Sequence, residues 1–132
     1  MKRIFLDTNV FDKVDEGDGQ VLAYLEETSE ICTSVIVAGE LFYGFKGGNK
    51  EKQNIRKLDE FLSENEVEVA LVSTETAKIY GQIAHHLKKM GKPVPTNDMW
   101  IAAQAMELGA ELVTFDRKHF KEIPGLRLWE RD

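Results

Sequence analysis

Four acidic residues at widely separated positions of the 132-residue chain could act together chemically: Asp7, Glu40, Asp98 and Asp116. Asp7 and Asp116 each follow an apolar run that is typical of a buried strand, so we expect both side chains at the carboxyl edge of one sheet. Neighbouring strands lie about 4.8 Å apart, which would bring two carboxylates face to face. Their repulsion requires an offsetting charge, and a bound cation is one way to supply it.

Glu40 is unusual because the surrounding segment, residues 35–43, is otherwise composed of apolar residues and glycine. A helix that is apolar on every side is expected to be buried, and a buried carboxylate without a cation or hydrogen-bond donors is costly. No Lys or Arg lies within one helical turn of Glu40. Its partner must therefore come from another part of the chain, and a metal ion is one candidate.

The neighbours of these acids carry neutral oxygen atoms, and they are Thr8, Asn9, Asn97 and Thr114. An all-oxygen set suits hard cations such as Mg²⁺ or Mn²⁺, whereas zinc prefers His or Cys. A divalent ion would neutralise the acids, let a phosphate approach and acidify a bound water. The sequence therefore predicts metal-assisted hydrolysis of a phosphodiester.

Each acid also has a purely structural interpretation. Asp7 could be a turn former, Asp98 could cap its helix, Asp116 could cap a short helix at 117–121, and Glu40 could belong to a buried salt bridge. A cap role does not exclude a site role, because the second carboxylate oxygen stays available to a cation.

General acid–base cleavage of RNA by histidine side chains is disfavoured. His85 and His86 lie beside an apolar stripe on a lysine-rich helix surface, and His119 is interpreted as helping the short helix to dock. A segment with Asp12 and Asp15 resembles a calcium loop only superficially, and we interpret it as a turn.

Composition places the chain among ordinary globular proteins, with 42% hydrophobic and 30% charged residues. The net charge is 17 − 23 = −6, which argues against non-specific affinity for nucleic acid. Basic residues cluster locally, and the clusters near Lys46 and Arg117 are expected to hold phosphates. Cys32 is the only cysteine, and neither a membrane span nor a signal peptide is expected, so the sequence predicts a cytoplasmic protein.

Strand and helix patterns alternate along the chain, without a repeat or a linker. We expect strands at 3–6, 31–33, 67–71, 111–115 and 126–129, separated by helices, with Ser34 capping the helix that contains Glu40. A further helix is expected to open at Thr74 and to end at Gly91. Phe42, Tyr43 and Phe45 are assigned mostly to the core, although one exposed edge could form a groove for a partner helix. The alternation predicts an α/β fold in which a mainly parallel sheet carries helices on both faces, with residues 1–132 as a single domain. Ligands of such sheets bind where the strand order reverses.

Four segments occur in order along the chain: Leu6-Asp7-Thr8-Asn9, Ala38-Gly39-Glu40-Leu41 with Gly44, Thr96-Asn97-Asp98-Met99-Trp100-Ile101-Ala102-Ala103, and Leu112-Val113-Thr114-Phe115-Asp116 with His119-Phe120. In them the chain resembles the PIN domain, and specifically the VapC toxins of toxin–antitoxin pairs. The resemblance implies a three-layer α/β/α sandwich, Mg²⁺- or Mn²⁺-dependent endoribonuclease activity, a homodimer and a small VapB-like antitoxin. It also implies that Asp7, Glu40, Asp98 and Asp116 bind metal.

Two other hypotheses remain open. The acids could anchor a basic partner in a non-catalytic binding module for RNA or protein. Alternatively, Asp7 could be the nucleophile of a metal-dependent phosphatase or phosphoacceptor domain, although Asn9 stands where such a loop would carry a second Asp.

Overall fold

The computed structural model describes residues 2–28 and 30–130. In these residues the chain forms five strands and seven helices. In chain order they are β1 (Arg3–Leu6), α1 (Thr8–Asp15), α2 (Gly19–Glu27), β2 (Glu30–Ser34), α3 (Val35–Lys46), α4 (Glu51–Glu64), β3 (Glu68–Ala70), α5 (Thr74–Met90), α6 (Thr96–Glu107), β4 (Glu111–Val113), α7 (Arg117–Phe120) and β5 (Arg127–Leu128).

The five strands form one sheet in the order β3-β2-β1-β4-β5, and every pair is parallel. The chain moves outward from β1 to β2 and β3, and then returns to the other side of β1 for β4 and β5. The strand order therefore reverses between β1 and β4. This confirms the predicted parallel sheet and puts the expected binding crevice at the carboxyl ends of these two strands.

The central strand β1 separates two hydrophobic cores. Phe5 packs into the core beneath α3, α4, α5 and α6, whereas Ile4 and Leu6 face the core beneath α1 and α2. All three side chains are fully buried, as expected for a strand of a parallel sheet covered on both faces. The predicted α/β/α sandwich is thus confirmed. No helix of the described segments combines the length and apolar character that a membrane span requires.

Two helix boundaries follow the predicted local chemistry. The Ser34 hydroxyl accepts the N–H of Ile36 at 2.9 Å and so caps α3. Gly91 ends α5 with φ 66°, a left-handed conformation that glycine adopts without steric penalty.

The interpretation of the segment after β1 as turns is wrong, because α1 begins at Thr8 and continues to Asp15. Asp7 is the N-cap of this helix, and its side chain accepts the N–H of Thr8. Val10 and Val14, one helical turn apart, both contact the core between α1 and the sheet. That spacing was the helical signal, and the polar residues around it concealed it.

The predicted strand at 67–71 is shorter in the structure. β3 comprises only Glu68–Ala70, with Ala70 as its buried residue. Val67 and Val69 are half-buried, and Val67 packs against the core beneath α1 and α2, whereas Leu71 is 75% exposed. The apolar alternation therefore extends beyond the strand itself, because contacts with the single neighbouring strand decide where an edge strand ends.

Candidate active site

Asp7 lies at the carboxyl end of β1, and its side chain is only 5% exposed. Its backbone N–H donates to the carbonyl of Val113 at 3.0 Å, which ties it to β4. Oδ1 accepts the N–H of Thr8 at 2.8 Å, and Oδ2 accepts the hydroxyl of Thr114 at 2.7 Å. Both oxygens of the carboxyl group are therefore held in fixed directions.

The environment of Asp7 disfavours the charged form of its carboxyl group. Burial raises the pKa of this carboxyl group to about 6, although the hydrogen bonds from Thr114 and Thr8 oppose the rise. The charges of Asp98 and Glu40 raise it further. Asp98 and Glu40, which are distant from Asp7 in sequence, therefore lie near enough in the fold to disfavour its charged form.

Thr114, rather than Asp116, occupies the strand-end position next to Asp7. The prediction that Asp116 directly follows its strand is wrong, because β4 ends at Val113. The Thr114 hydroxyl instead accepts the N–H of Asp116 at 3.0 Å, and Asn9 accepts the N–H of Phe115 at 3.2 Å. Asn9 Nδ2 lies 3.5 Å from the Thr114 hydroxyl. Thr114 and Asn9 therefore shape the short loop that carries Asp116 to the site.

Glu40 reaches the site from α3. Its Oε1 accepts the hydroxyl of Thr8 at 2.6 Å, and the residue is half-buried. The expectation that α3 is buried all round is wrong, because Val35, Phe42 and Tyr43 are 42%, 41% and 82% exposed. The assignment of Phe42 and Tyr43 to the core is therefore wrong as well.

No ion pair engages Glu40 within residues 2–28 and 30–130. Its partner is a neutral hydroxyl, so the buried salt bridge considered for Glu40 is not formed there.

Asp98 lies in the first turn of α6, but it does not cap the helix. The N-cap position is Pro95, and no side chain caps α6. Burial raises the pKa of Asp98, the hydrogen bond from His119 lowers it, and the charges of Asp116 and Glu40 raise it. Asn97, predicted as a supporting residue, is exposed, and no hydrogen bond connects it to the four acids in the described part of the chain.

His119 is the site residue that the sequence interpretation missed. Its Nδ1 lies 2.7 Å from Oδ2 of Asp98 and 2.7 Å from Oδ2 of Asp116. Asp116 itself makes no side-chain cap bond to α7. The available signal was the spacing of Asp116 and His119, since residues three apart lie on the same helix face.

The donor set fits a hard divalent cation. One carboxylate oxygen each of Asp98 and Asp116 and one ring nitrogen of His119 lie within 4.8 Å of one another. The repulsion that Asp7 and Asp98 experience from the other acids is the kind that a cation relieves. Carboxylate oxygens with at most one imidazole are compatible with Mg²⁺ or Mn²⁺.

A cavity of about 400 Å³ opens beside Thr8 and Glu40, between α1, α3 and α4. Its wall combines apolar side chains, such as Phe11 and Phe45, with charged ones, such as Asp15 and Lys57. Of the four acids, Glu40 lines this cavity, so a molecule that fills it would contact Glu40.

The predicted basic clusters are partly engaged within the chain. Lys46 pairs with Glu51 at 2.8 Å. Arg117 donates to the carbonyl of Trp129 at 2.9 Å. Lys118 and Lys121, by contrast, are exposed on and directly after α7, beside Asp116 and His119.

Known proteins match this chain over nearly its whole length. The family model of the PIN domain matches residues 4–126. Ribonuclease VapC2 of Rickettsia felis is 36% identical over 132 residues, which cover 96% of this chain and 97% of the relative. The tRNA(fMet)-specific endonuclease VapC of Salmonella typhimurium is 32% identical over 130 residues, with 97% of each chain covered.

Solved structures agree with the fold. VapBC2 from Rickettsia felis bound to a promoter DNA fragment aligns with a TM-score of 0.89 and 34% identity, covering 98% of this chain and 99% of that chain. DNA-bound VapBC from Salmonella typhimurium aligns with a TM-score of 0.88 and 30% identity, covering 98% of each chain. The likeness therefore extends over almost the whole chain.

Proposed function

The chain belongs to the PIN-domain family and, within it, to the VapC ribonucleases, and on this premise we propose that it hydrolyses RNA with Mg²⁺ or Mn²⁺ held by Asp7, Glu40, Asp98 and Asp116. One observation carries the proposal, the convergence of four acids from four separate segments. Thr8 donates hydrogen bonds to both Asp7 and Glu40, and Nδ1 of His119 lies 2.7 Å from an oxygen of both Asp98 and Asp116. The charges of Asp98 and Glu40 also raise the pKa of Asp7. Clustering of like charges at a strand-order reversal favours a cation-dependent site over a purely structural role.

A bound divalent ion would supply the charge that lets a phosphodiester approach this acidic protein, and it would help to activate an attacking water. The chain's own part is to hold the carboxylates in place beforehand. Thr8 and Thr114 orient Asp7, Thr8 also orients Glu40, and the Thr114 hydroxyl anchors the backbone at Asp116. Preorganised groups of this kind require little rearrangement during the reaction.

Hydrolysis by water should leave a 5′-phosphate and a 3′-hydroxyl, because the 2′-hydroxyl of the RNA is not the nucleophile. Asp7 is poorly placed to act as a covalent nucleophile itself, since both of its oxygens accept hydrogen bonds and it is 5% exposed. Lys118 and Lys121 are positioned to contact phosphates that flank the cleaved bond. A cytoplasmic location, where the RNA substrate is found, is part of the same proposal.

We assign two protein partners. Related chains are solved as VapBC toxin–antitoxin complexes, and we propose that a small VapB-like antitoxin binds this chain too. Apolar surface for such a partner is offered by the cavity beside Glu40 and by the exposed side chains of Phe42 and Tyr43, which lie on the same helix as Glu40. We also propose a homodimer and keep residues 1–132 as one domain.

The test is an RNA digestion with end analysis. The purified protein is incubated with 5′-labelled RNA in Mn²⁺, in Mg²⁺ and in excess chelator, beside the Asp7→Asn variant. We expect cleavage only with a metal ion, labelled fragments that end in a 3′-hydroxyl, and no cleavage by the variant. RNA binding that persists in chelator without any cleavage under the metal conditions would instead favour a binding module.

A further inference from the structure

His119 joins two segments that carry acids of the site. It lies on α7, three residues after Asp116, and Asp98 lies on α6. Its Nδ1 is 2.7 Å from one oxygen of each aspartate. No other side chain connects these two carboxylates in residues 2–28 and 30–130.

We propose that His119 is a positioning residue whose Nδ1–H holds the carboxylates of Asp98 and Asp116 side by side, so that they present their oxygens to one ion together. The effect of this positioning on metal binding rests on the proposed metal-dependent function. The geometry of the three side chains is independent of that function.

The hydrogen-bonding roles follow from the partners. Ionised carboxylates only accept hydrogen bonds, so the ring nitrogen that faces both of them must carry the hydrogen. The contact with Asp98 is a hydrogen bond of 2.7 Å, a length typical of hydrogen bonds assisted by charge, and Oδ2 of Asp116 lies at the same distance from Nδ1. Without this donor, the repulsion between the two carboxylates would lose the positive hydrogen that lies between them.

The position of the ring is fixed by its surroundings. Phe120, the next residue, is fully buried in the core, and Arg117 binds the carbonyl of Trp129 at 2.9 Å. The short helix α7 is therefore anchored on both sides of His119. A ring held in this way can define where Asp98 and Asp116 stand, rather than merely follow them.

Two substitutions separate the role of Nδ1 from that of the ring in general. His119→Asn places an amide nitrogen close to the position of Nδ1 and keeps a donor there. His119→Gln is longer and places its amide near the position of Nε2, away from the two aspartates. His85→Ala, which removes an exposed imidazole from α5 outside the site, is the matched control.

The experiment measures Mn²⁺ binding by calorimetry for the parent, His119→Ala, His119→Asn, His119→Gln and His85→Ala, with circular dichroism to confirm folding. We expect His119→Ala and His119→Gln to weaken Mn²⁺ binding about 10- to 100-fold, as loss of an orienting partner does at other metal sites. His119→Asn and the His85→Ala control should stay close to the parent. Equal affinity in all variants would overturn the proposal.

Paramagnetic resonance of the Mn²⁺ complex gives a second readout. If His119 only positions the aspartates, the spectrum of the parent contains no coupling to an imidazole nitrogen. Direct coupling that disappears in His119→Asn would make His119 a ligand and overturn the positioning role.

Crystal structures of the metal-free parent and His119→Gln separate the two proposals. Failure of the parent to bind Mn²⁺ would remove the metal site, but the distance between Asp98 and Asp116 would still test His119. We expect these carboxylates to move apart in His119→Gln, and an unchanged distance would contradict the inference.

Discussion

The Thr114 hydroxyl donates a 2.7 Å hydrogen bond to Oδ2 of Asp7 across the point where the strand order reverses. The register explains the contact, because Leu6 pairs with Val113 and the next residues of both strands are Asp7 and Thr114. The same hydroxyl accepts the N–H of Asp116. One side chain therefore supports two of the four acids.

Replacing this hydroxyl tests that support. Thr114→Val keeps the shape but removes the donor, and leaving a buried carboxylate without it should lower the free energy of unfolding by about 1–3 kcal/mol at neutral pH. RNA cleavage should fall as well, whereas Thr114→Ser should retain most stability and activity. Chemical denaturation and initial cleavage rates are the measurements. A Val variant as stable and active as the parent would show that the bond contributes nothing.

In the presence of a chelator, the titration of Asp7 should lower the free energy of unfolding as the pH rises. Its pKa is raised from 3.8 to about 6, so the folded chain holds the proton more tightly than the unfolded chain does. The stabilisation by the protonated form is complete below about pH 4 and is lost as pH rises through about 6, a change of about 3 kcal/mol.

The variant Asp7→Asn isolates this contribution from other titrations. Parent and variant should have similar free energies of unfolding near pH 4, and the variant should be more stable by up to about 3 kcal/mol above pH 7. Urea denaturation across this range measures the difference. A difference that does not change with pH would contradict the raised pKa of Asp7.

Glu40→Gln should abolish most activity while preserving the fold. The amide oxygen can still accept the Thr8 hydroxyl that binds Oε1 at 2.6 Å, but the negative charge is gone. We expect cleavage to slow by roughly 100-fold or more, comparable to removal of one preorganised electrostatic group elsewhere. Glu64→Gln, exposed at the end of α4, is the matched control and should cleave RNA normally.

The lysines beside α7 should contribute to RNA affinity through phosphate contacts. In the inactive Asp7→Asn background, Lys118→Gln combined with Lys121→Gln should weaken binding of single-stranded RNA and reduce the salt slope of log K by about 1.4. Lys78→Gln is the control, since Lys78 pairs with Glu75 on α5. An unchanged slope in the double variant would place the RNA on another surface.

Local features were largely readable along the chain. The β1 run, the Ser34 cap and the Gly91 helix end depend on a few adjacent residues, and each was predicted. Features that depend on tertiary contacts could not be predicted in this way. The length of β3 and the exposed side of α3 depend on which neighbours contact them, and no spacing within those segments contains that information.

The sequence by itself determined the alternation of strands and helices and the four acids that would need a common charge partner. Residue type and spacing suffice for this, because periodic burial and the chemistry of carboxylates are local properties. Only the tertiary structure decided that Thr114 stands beside Asp7, that Thr8 binds Glu40, and that His119 connects Asp98 and Asp116. Those contacts join residues on different elements, so they exist only once the sheet has brought the elements together.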